Sequence, residues 1–279
     1  MIEFREINEL IVMQGKFFPN FFDCSYFDEI QKAHTFQLLT EGIKGGKAYR
    51  KGLYLSNVIE NDSESSFHLM RCSTNFKGPT EGFQSIDTNI LKKVQEVVNL
   101  YYPGPILNHV LAQIYYNDIK KARISKHSDK TKDMVSNGVI AFCTFYSEIP
   151  KNDSCLSTLL FRSKDTSKYN DFKVALRPNS LFLIPLEINR LFTHEIVPSQ
   201  LPSSEIPTRM GYVIRCSKTI ATHKNNQTYI GKSPLVPMTD LDYSMLKELY
   251  HQENCTTETP IYPELYFSMN QGDYLKPIP

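Results

Sequence analysis

The chain predicts a mainly β fold with flanking helices (α+β), built on an antiparallel jelly roll. Three observations carry that class. Six segments between residues 106 and 220 have the β-branched and aromatic content of strands, loops rich in Ser, Asn, Asp and Pro separate them, and no internal repeat points instead to a solenoid or propeller. A chain of 279 residues is long for one core, but β barrels with added helices reach this size as single units, so one domain over 1–279 is expected.

Residues 1–105 mix strand and helix, the stretch Ser25 to Leu39 included, and are expected to support the barrel and supply a lid. A helix is clearest over Asn89 to Tyr101, where Ile90, Leu91, Val94, Val97, Val98 and Tyr101 recur at helical spacing as a stripe to be buried against the barrel. Asp87 or Thr88 is its expected cap, and Pro103-Gly104-Pro105 stops it. Residues 106–220 hold the strands, at Val110–Tyr116, Val139–Tyr146, Ser157–Phe161, Ser180–Pro185, Thr193–Val197 and Arg209–Cys216. Ser147 to Ser154 and Pro198 to Pro207 read as loops between them. Residues 221–279 open on a polar linker, His223-Lys-Asn-Asn-Gln227. Thr239-Asp-Leu-Asp242 then has the form of a capping box, so a helix should run to about Gln252 and bury Leu241, Met245, Leu249 and Tyr250 ahead of a Tyr- and Pro-rich tail.

A hydrophobic content of 41%, a charged content of 22% and a net charge of +1 describe an ordinary soluble protein without a global basic excess for nucleic acid. No apolar run approaches the ~18 residues of a membrane span, and no basic-then-apolar leader follows Met1. The expected location is therefore intracellular, in cytoplasm or nucleus. The cysteines at 24, 72, 143, 155, 216 and 255 form no C-x-x-C pair and no zinc spacing, which predicts reduced thiols.

The chemistry-bearing residues fall inside the strand-rich zone. His127-Ser128-Asp129 is followed by His194, in the run Asn189-Arg-Leu-Phe-Thr-His194, and then by Arg209-Met-Gly-Tyr-Val-Ile-Arg215. Two imidazoles and a carboxylate form the facial ligand set that leaves three positions of a non-haem Fe(II) open. An H-x-D match alone says little, and His251-Gln-Glu253 is a second match of similar form, but no His follows it, so it reads as a solvated helix end. On an extended segment alternate side chains share a face, which puts Arg209, Gly211, Val213 and Arg215 on one side and Met210, Tyr212 and Ile214 on the other. A buried guanidinium needs an anion, and its planar fork fits a carboxylate bidentately.

From Leu107 to Arg215 the chain resembles the AlkB-like branch of the Fe(II)/2-oxoglutarate dioxygenases, a double-stranded β-helix family. The likeness is carried by Leu107-Asn108, a strand reaching Tyr115-Tyr116, then His127-x-Asp129, Arg190-Leu-Phe-Thr-His194 and Arg209 to Arg215, in that order. It implies that His127, Asp129 and His194 bind iron, that Arg209 grips 2-oxoglutarate with Tyr116 as a second contact, and that Arg215 lies nearer the metal and contacts the cosubstrate or the Asp ligand. Fe(II) and 2-oxoglutarate would be the cofactors and O₂ the cosubstrate, in oxidative decarboxylation to succinate coupled to hydroxylation or oxidative demethylation. The chain departs from the family's usual R-x-N-x-T-x-R strand at Gly211 and Val213, and Thr131 stands where a base-reading acid often follows the metal Asp, the nearest acid being Asp133.

A modified nucleobase in DNA or RNA is one substrate class. Lys120, Lys121, Arg123, Lys126, Lys130 and Lys132 crowd beside the predicted metal site, Lys44, Lys47, Arg50 and Lys51 add charge, and Tyr49 and Tyr54 offer stacking faces. Asp133, Arg123, Lys130 and Tyr49 are the expected substrate contacts on that reading. A protein residue, an amino acid or a small metabolite is the alternative substrate, and a noncatalytic binding module on the same barrel is the third reading. Phe67, Phe76 and Phe83 would line such a pocket or fill core.

Overall fold

The structure is a computed structural model that describes residues 15–41, 46–74, 76–117 and 121–279, with backbone alone at 40, 41 and 46–48. Lys44 and Lys120 lie outside the described residues, as does the side chain of Lys47. The first part of the chain forms β1 (Lys16–Phe18), α1 (Phe27–Ala33), β2 (Gln37–Glu41), β3 (Gly46–Ser56), β4 (Ile59–Asn61), β5 (Glu64–Leu69), β6 (Glu81–Gly82) and α2 (Ser85–Tyr101). The middle forms β7 (His109–Tyr115), β8 (Ile124–His127), β9 (Val139–Tyr146), β10 (Thr158–Ser163), β11 (Phe172–Ala175), β12 (Ser180–Pro185), α3 (Leu186–Leu191), β13 (Phe192–Val197) and β14 (Arg209–Arg215). The last part forms β15 (Thr219–Lys224), β16 (Gln227–Ile230), β17 (Ser233–Pro234) and α4 (Asp240–Cys255).

The eight strands β7 to β14 are shared between two sheets, the chain crossing from one to the other at every step except the β10–β11 hairpin, and so build a jelly roll. The order β12-β9-β14-β7 forms the centre of the large sheet, and β11-β10-β13-β8 forms the small one, with antiparallel pairing inside both. This is the double-stranded β-helix expected from sequence. Strands β1, β2 and β3 widen the large sheet at its two edges, while β17-β16-β15-β5-β4 makes a third, antiparallel sheet.

Alternation along the large sheet divides two cores. Ala112, Ile114, Met210, Tyr212 and Ile214 face outward and pack with Phe27, Ile30, Ile90, Val94 and Val98 of the helices. Between the two sheets, Ile140, Phe142, Phe182 and Ile184 meet Leu159, Phe161, Phe172 and Phe192. The Phe161 and Phe172 rings stack at 4.5 Å. That packing fills the β12 and β11 end of the sandwich. The β14 and β8 end is lined by polar residues and stays open as a cavity of about 1230 Å³.

Several local expectations are corrected. Helix α2 starts one turn earlier than the sequence suggested, with Gln84 as cap and Asp87 as its reciprocal partner, the Asp87 carboxylate accepting the Gln84 N–H at 2.8 Å. Glutamine is outside the usual cap residues, which hid the start. The stretch read as a polar linker is a β15–β16 hairpin: Asn225 and Asn226 both take positive φ, 50° and 59°, as a tight two-residue turn requires, and His223 bonds Thr228 across it. Helix α4 has the Thr239/Asp242 capping box, but it buries Leu246, Tyr250 and Glu253 rather than Leu241, which is 79% exposed. Its inner face is set by the tail residues Leu265 and Phe267. Tyr54, Phe67 and Phe76 fill core, and Phe83 packs against it.

Candidate active site

Strand pairing alone brings the two imidazoles together. His127 ends β8 and His194 sits on β13 directly opposite it in register, with ring centroids 4.4 Å apart. The chain then turns back through Ser128, whose hydroxyl donates to the Phe192 carbonyl at 3.1 Å. Asn189 of α3 clamps the next peptide on both sides, accepting the Asp129 N–H at 2.8 Å and donating to the Asp129 carbonyl at 2.9 Å. Asp129 Oδ1 is thereby set 3.6 Å from His127 Nε2 and 3.7 Å from His194 Nε2. One ligand atom from each of the three residues lies within 4.8 Å of the others, a spacing that suits one cation.

Hydrogen bonding and charge fit that arrangement. The Nδ1–H of His127 donates to the Ser125 carbonyl at 2.8 Å, which turns Nε2 toward Asp129. Burial, with His127 as the next cause, pushes the His194 imidazole down to about 3, so it is neutral. Burial alone would raise the Asp129 carboxyl, but the Arg215 guanidinium outweighs it and holds the group well below the usual carboxylate range. Arg215 donates to Asp129 Oδ2 from Nε at 2.8 Å and from Nη2 at 2.7 Å, leaving Oδ1 for a metal. The Cys72 thiol, which also lines the cavity, is pushed up to about 12 by burial and is not a thiolate ligand.

Arg209 faces the same cavity from the other end of β14. It is 2% exposed, its Nε and Nη2 are buried without a partner, and its guanidinium lies 4.0 Å from the Tyr115 ring centroid. A Cβ at Gly211 would stand 3.2 Å from Arg209 Nη1 and 3.4 Å from Tyr115 Cε2. Glycine therefore gives the guanidinium its place on the ring, which explains one of the departures from the resembling family.

The other expected contacts fare differently. Tyr116 packs its ring against the outer core, and Tyr115 is the tyrosine that lines the cavity, because the two stand on opposite faces of the sheet. Asp133 is not a substrate contact: it is 1% exposed and bound to Arg71 by Nη2–Oδ1 and Nε–Oδ2 contacts of 2.6 and 3.0 Å, with Thr219 Oγ1 donating at 2.8 Å. Lys130 lines the cavity but is committed to α4, donating to the Tyr250 carbonyl at 3.1 Å and to Asn254 Oδ1 at 2.6 Å. Tyr49 takes a positive φ of 49° and does not line the cavity, whereas its neighbour Arg50 does. Arg123 and Lys126 stand exposed at the cavity rim, and Lys121 bonds the Ser199 carbonyl. His251 and Glu253 do not form a second site, for Glu253 is buried and takes the Thr131 N–H at 3.0 Å.

Sequence reasoning passed over Asn189, Tyr115 and the α4 wall as site residues, and it counted Arg50 only among the basic residues that add charge. Asn189 had a signal, a lone amide inside the run leading to His194. Tyr243, Lys247 and Asn254, by contrast, reach the cavity only through the packing of a helix whose inner face depends on the distant tail.

No family model matches the chain, and no curated protein matches it. Many solved structures resemble this one, two of them as follows. The non-heme alpha ketoglutarate dependent epimerase SnoN from nogalamycin biosynthesis does so at 10% identity over 75% of this chain and 79% of that one, with a TM-score of 0.45. A Pseudomonas putida prolyl-4-hydroxylase does so at 10% identity over 75% of this chain and 96% of that one, with a TM-score of 0.43. At such distances neither protein's activity transfers, and the jelly roll stands on its own strand order. Among the described residues no helix is long and apolar enough to cross a membrane.

Proposed function

We propose that the protein is an Fe(II)- and 2-oxoglutarate-dependent oxygenase that hydroxylates or oxidatively demethylates its substrate. The observation that carries this reading is a buried Arg209 with two unpartnered N–H donors facing the same cavity as the His127, Asp129 and His194 ligand set. A buried cation without an anion is costly, and the five-carbon keto diacid has a distal carboxylate to offer it. His127, Asp129 and His194 fit Fe(II) by donor type, with two imidazoles, that of His194 neutral, an ionised carboxylate and one oxygen of that carboxylate left open. When bound, Fe(II) supplies the oxidising chemistry with O₂ at the expense of decarboxylating 2-oxoglutarate to succinate and CO₂. Arg209 orients the keto acid, Arg215 holds Asp129, and Phe142 and Phe161 exclude water beside His194.

A modified nucleobase remains the finer reading that the AlkB-like resemblance suggests, supported by Arg123 and Lys126 at the rim. Asp133, Lys130 and Tyr49 lend it nothing, which places an acidic metabolite or a protein side chain beside it. A noncatalytic module would not need both the ligand set and an unpaired Arg209. The test is succinate formation by protein reconstituted anaerobically with Fe(II), on adding O₂ with pooled oligonucleotides, peptides or amino acids. Iron-dependent succinate in the native chain, reduced at least 100-fold in Arg209→Ala, is expected. No iron uptake and no succinate would refute the reading.

A further inference from the structure

Resting on the oxygenase reading, we propose that Arg50 forms a second anion site in the same cavity, one that binds a carboxylate or phosphate group of the primary substrate. Arg50 lies on β3, outside the eight jelly-roll strands, and is paired in register with Tyr115. Arg209 is paired with Tyr115 from the other side and with Tyr146 beyond it. The inner face thus carries a cross-strand row of Tyr146, Arg209, Tyr115 and Arg50. The Tyr115 ring has Arg209 at 4.0 Å and Arg50 at 5.9 Å from its centroid.

Four features support two anions at this row. Neighbouring strands lie about 4.8 Å apart, so two arginines on either side of β7 start roughly 10 Å apart. A carboxylate that pairs bidentately with Arg209 spends both its oxygens on one guanidinium fork and leaves Arg50 to another anion. Arg50 Nε is buried without a partner, as Arg209 Nε and Nη2 are, so the second guanidinium is also left unsatisfied by the protein. The charge around the cavity points the same way: Asp129 is the one carboxylate among the described residues lining it, and Arg215 already pairs with it. Lys130 is tied to α4, and among the described residues Arg50 and Arg209 have no acidic partner. Arg123, Lys126 and Lys247 are exposed to solvent, so the two inner guanidinium groups are the ones that call for anions. The cavity, at about 1230 Å³, also exceeds the ~300–1,000 Å³ usual for a pocket that holds one small ligand. It has room for a second anionic molecule.

The experiment is calorimetric titration of Mn(II)-loaded protein, first with 2-oxoglutarate and then, at saturating 2-oxoglutarate, with inorganic phosphate or a 5′-phosphorylated thymidine trinucleotide. Wild type is expected to take one equivalent of phosphate, with affinity at least tenfold weaker in Arg50→Gln and largely restored in Arg50→Lys. Arg209→Ala is expected to lose 2-oxoglutarate affinity at least tenfold more than Arg50→Gln does. A trinucleotide that binds through Arg50 as phosphate does makes a nucleic-acid backbone the source of the anion. Phosphate binding without trinucleotide binding makes it a free metabolite. Equal phosphate affinity in wild type and Arg50→Gln overturns the site, and so does a loss of 2-oxoglutarate binding in Arg50→Gln as large as in Arg209→Ala. Failure of wild type to take up 2-oxoglutarate, with phosphate still bound through Arg50, refutes the oxygenase reading and leaves the anion site standing.

Discussion

Asp129 divides its two oxygens between a fixed cation and a shared vertex: Oδ2 takes two N–H donors from Arg215, and Oδ1 faces both imidazoles. Arg215→Met leaves a buried carboxylate without its guanidinium and should destabilise the metal-free protein by about 3–5 kcal/mol. Mn(II) should recover part of that loss by supplying a second positive partner, so urea melts of the variant should gain more from the metal than those of wild type. Equal gains would show that the metal and Arg215 do not share the carboxylate. The sequence displays His127, Asp129, His194 and Arg209 because their chemistry is unusual in strand-rich context. It conceals Asp133 and Lys130, whose partners Arg71 and Tyr250 lie far away along the chain, so that exposed and committed charges look alike before folding. The exchange of Tyr116 for Tyr115 is a one-residue matter of face, which a strand ending in two tyrosines cannot declare.

Elements on the outer side of the large sheet are joined by a buried ionisable cluster. His34, following α1, contacts Glu81 of β6 at 2.9 Å and Asp87 of α2 at 2.8 Å, and Asp87 accepts the Tyr212 hydroxyl of β14 at 2.7 Å. Burial opposes charging of His34, but the hydrogen bonds to Asp87 and Glu81 prevail and raise it from 6.5 to about 9. A raised folded value means that this stabilisation is complete below about pH 6.5 and is lost as pH climbs through 9. Chemical denaturation should therefore show wild type losing roughly 2–3 kcal/mol between pH 6.5 and 10 relative to His34→Gln, and parallel profiles would remove His34 from the account. Long β-branched strands such as β9, β12 and β14 are legible from composition. Short β8, Ile-Ser-Lys-His, is not, since only its pairing with β13 makes it a strand. The 223–227 hairpin turn was legible in principle, as Asn-Asn between β-branched flanks, and polarity masked it.

At the scale of the molecule, the third sheet and the tail are fastened to the jelly roll by Arg71, which binds Asp133 and also donates to the Leu265 carbonyl at 2.5 Å. Asp133→Ala should cost about 3–5 kcal/mol by stranding a buried guanidinium, while 2-oxoglutarate affinity changes less than threefold by calorimetry. A mild stability change with lost substrate response would restore Asp133 as a substrate contact. The tail could not be placed from sequence, because its anchors, among them Arg71 on the Leu265 carbonyl, Phe76 on Asn270 and Gly82 on Ile278, lie about 190 residues away along the chain. The large sheet has a further consequence, for genetics. Its strand β14 puts Met210, Tyr212 and Ile214 into the outer core and Arg209, Gly211, Val213 and Arg215 onto the cavity. A saturation library across these seven positions, scored at two growth temperatures in cells that require the gene, should alternate residue by residue between heat-sensitive alleles and alleles that are null at both.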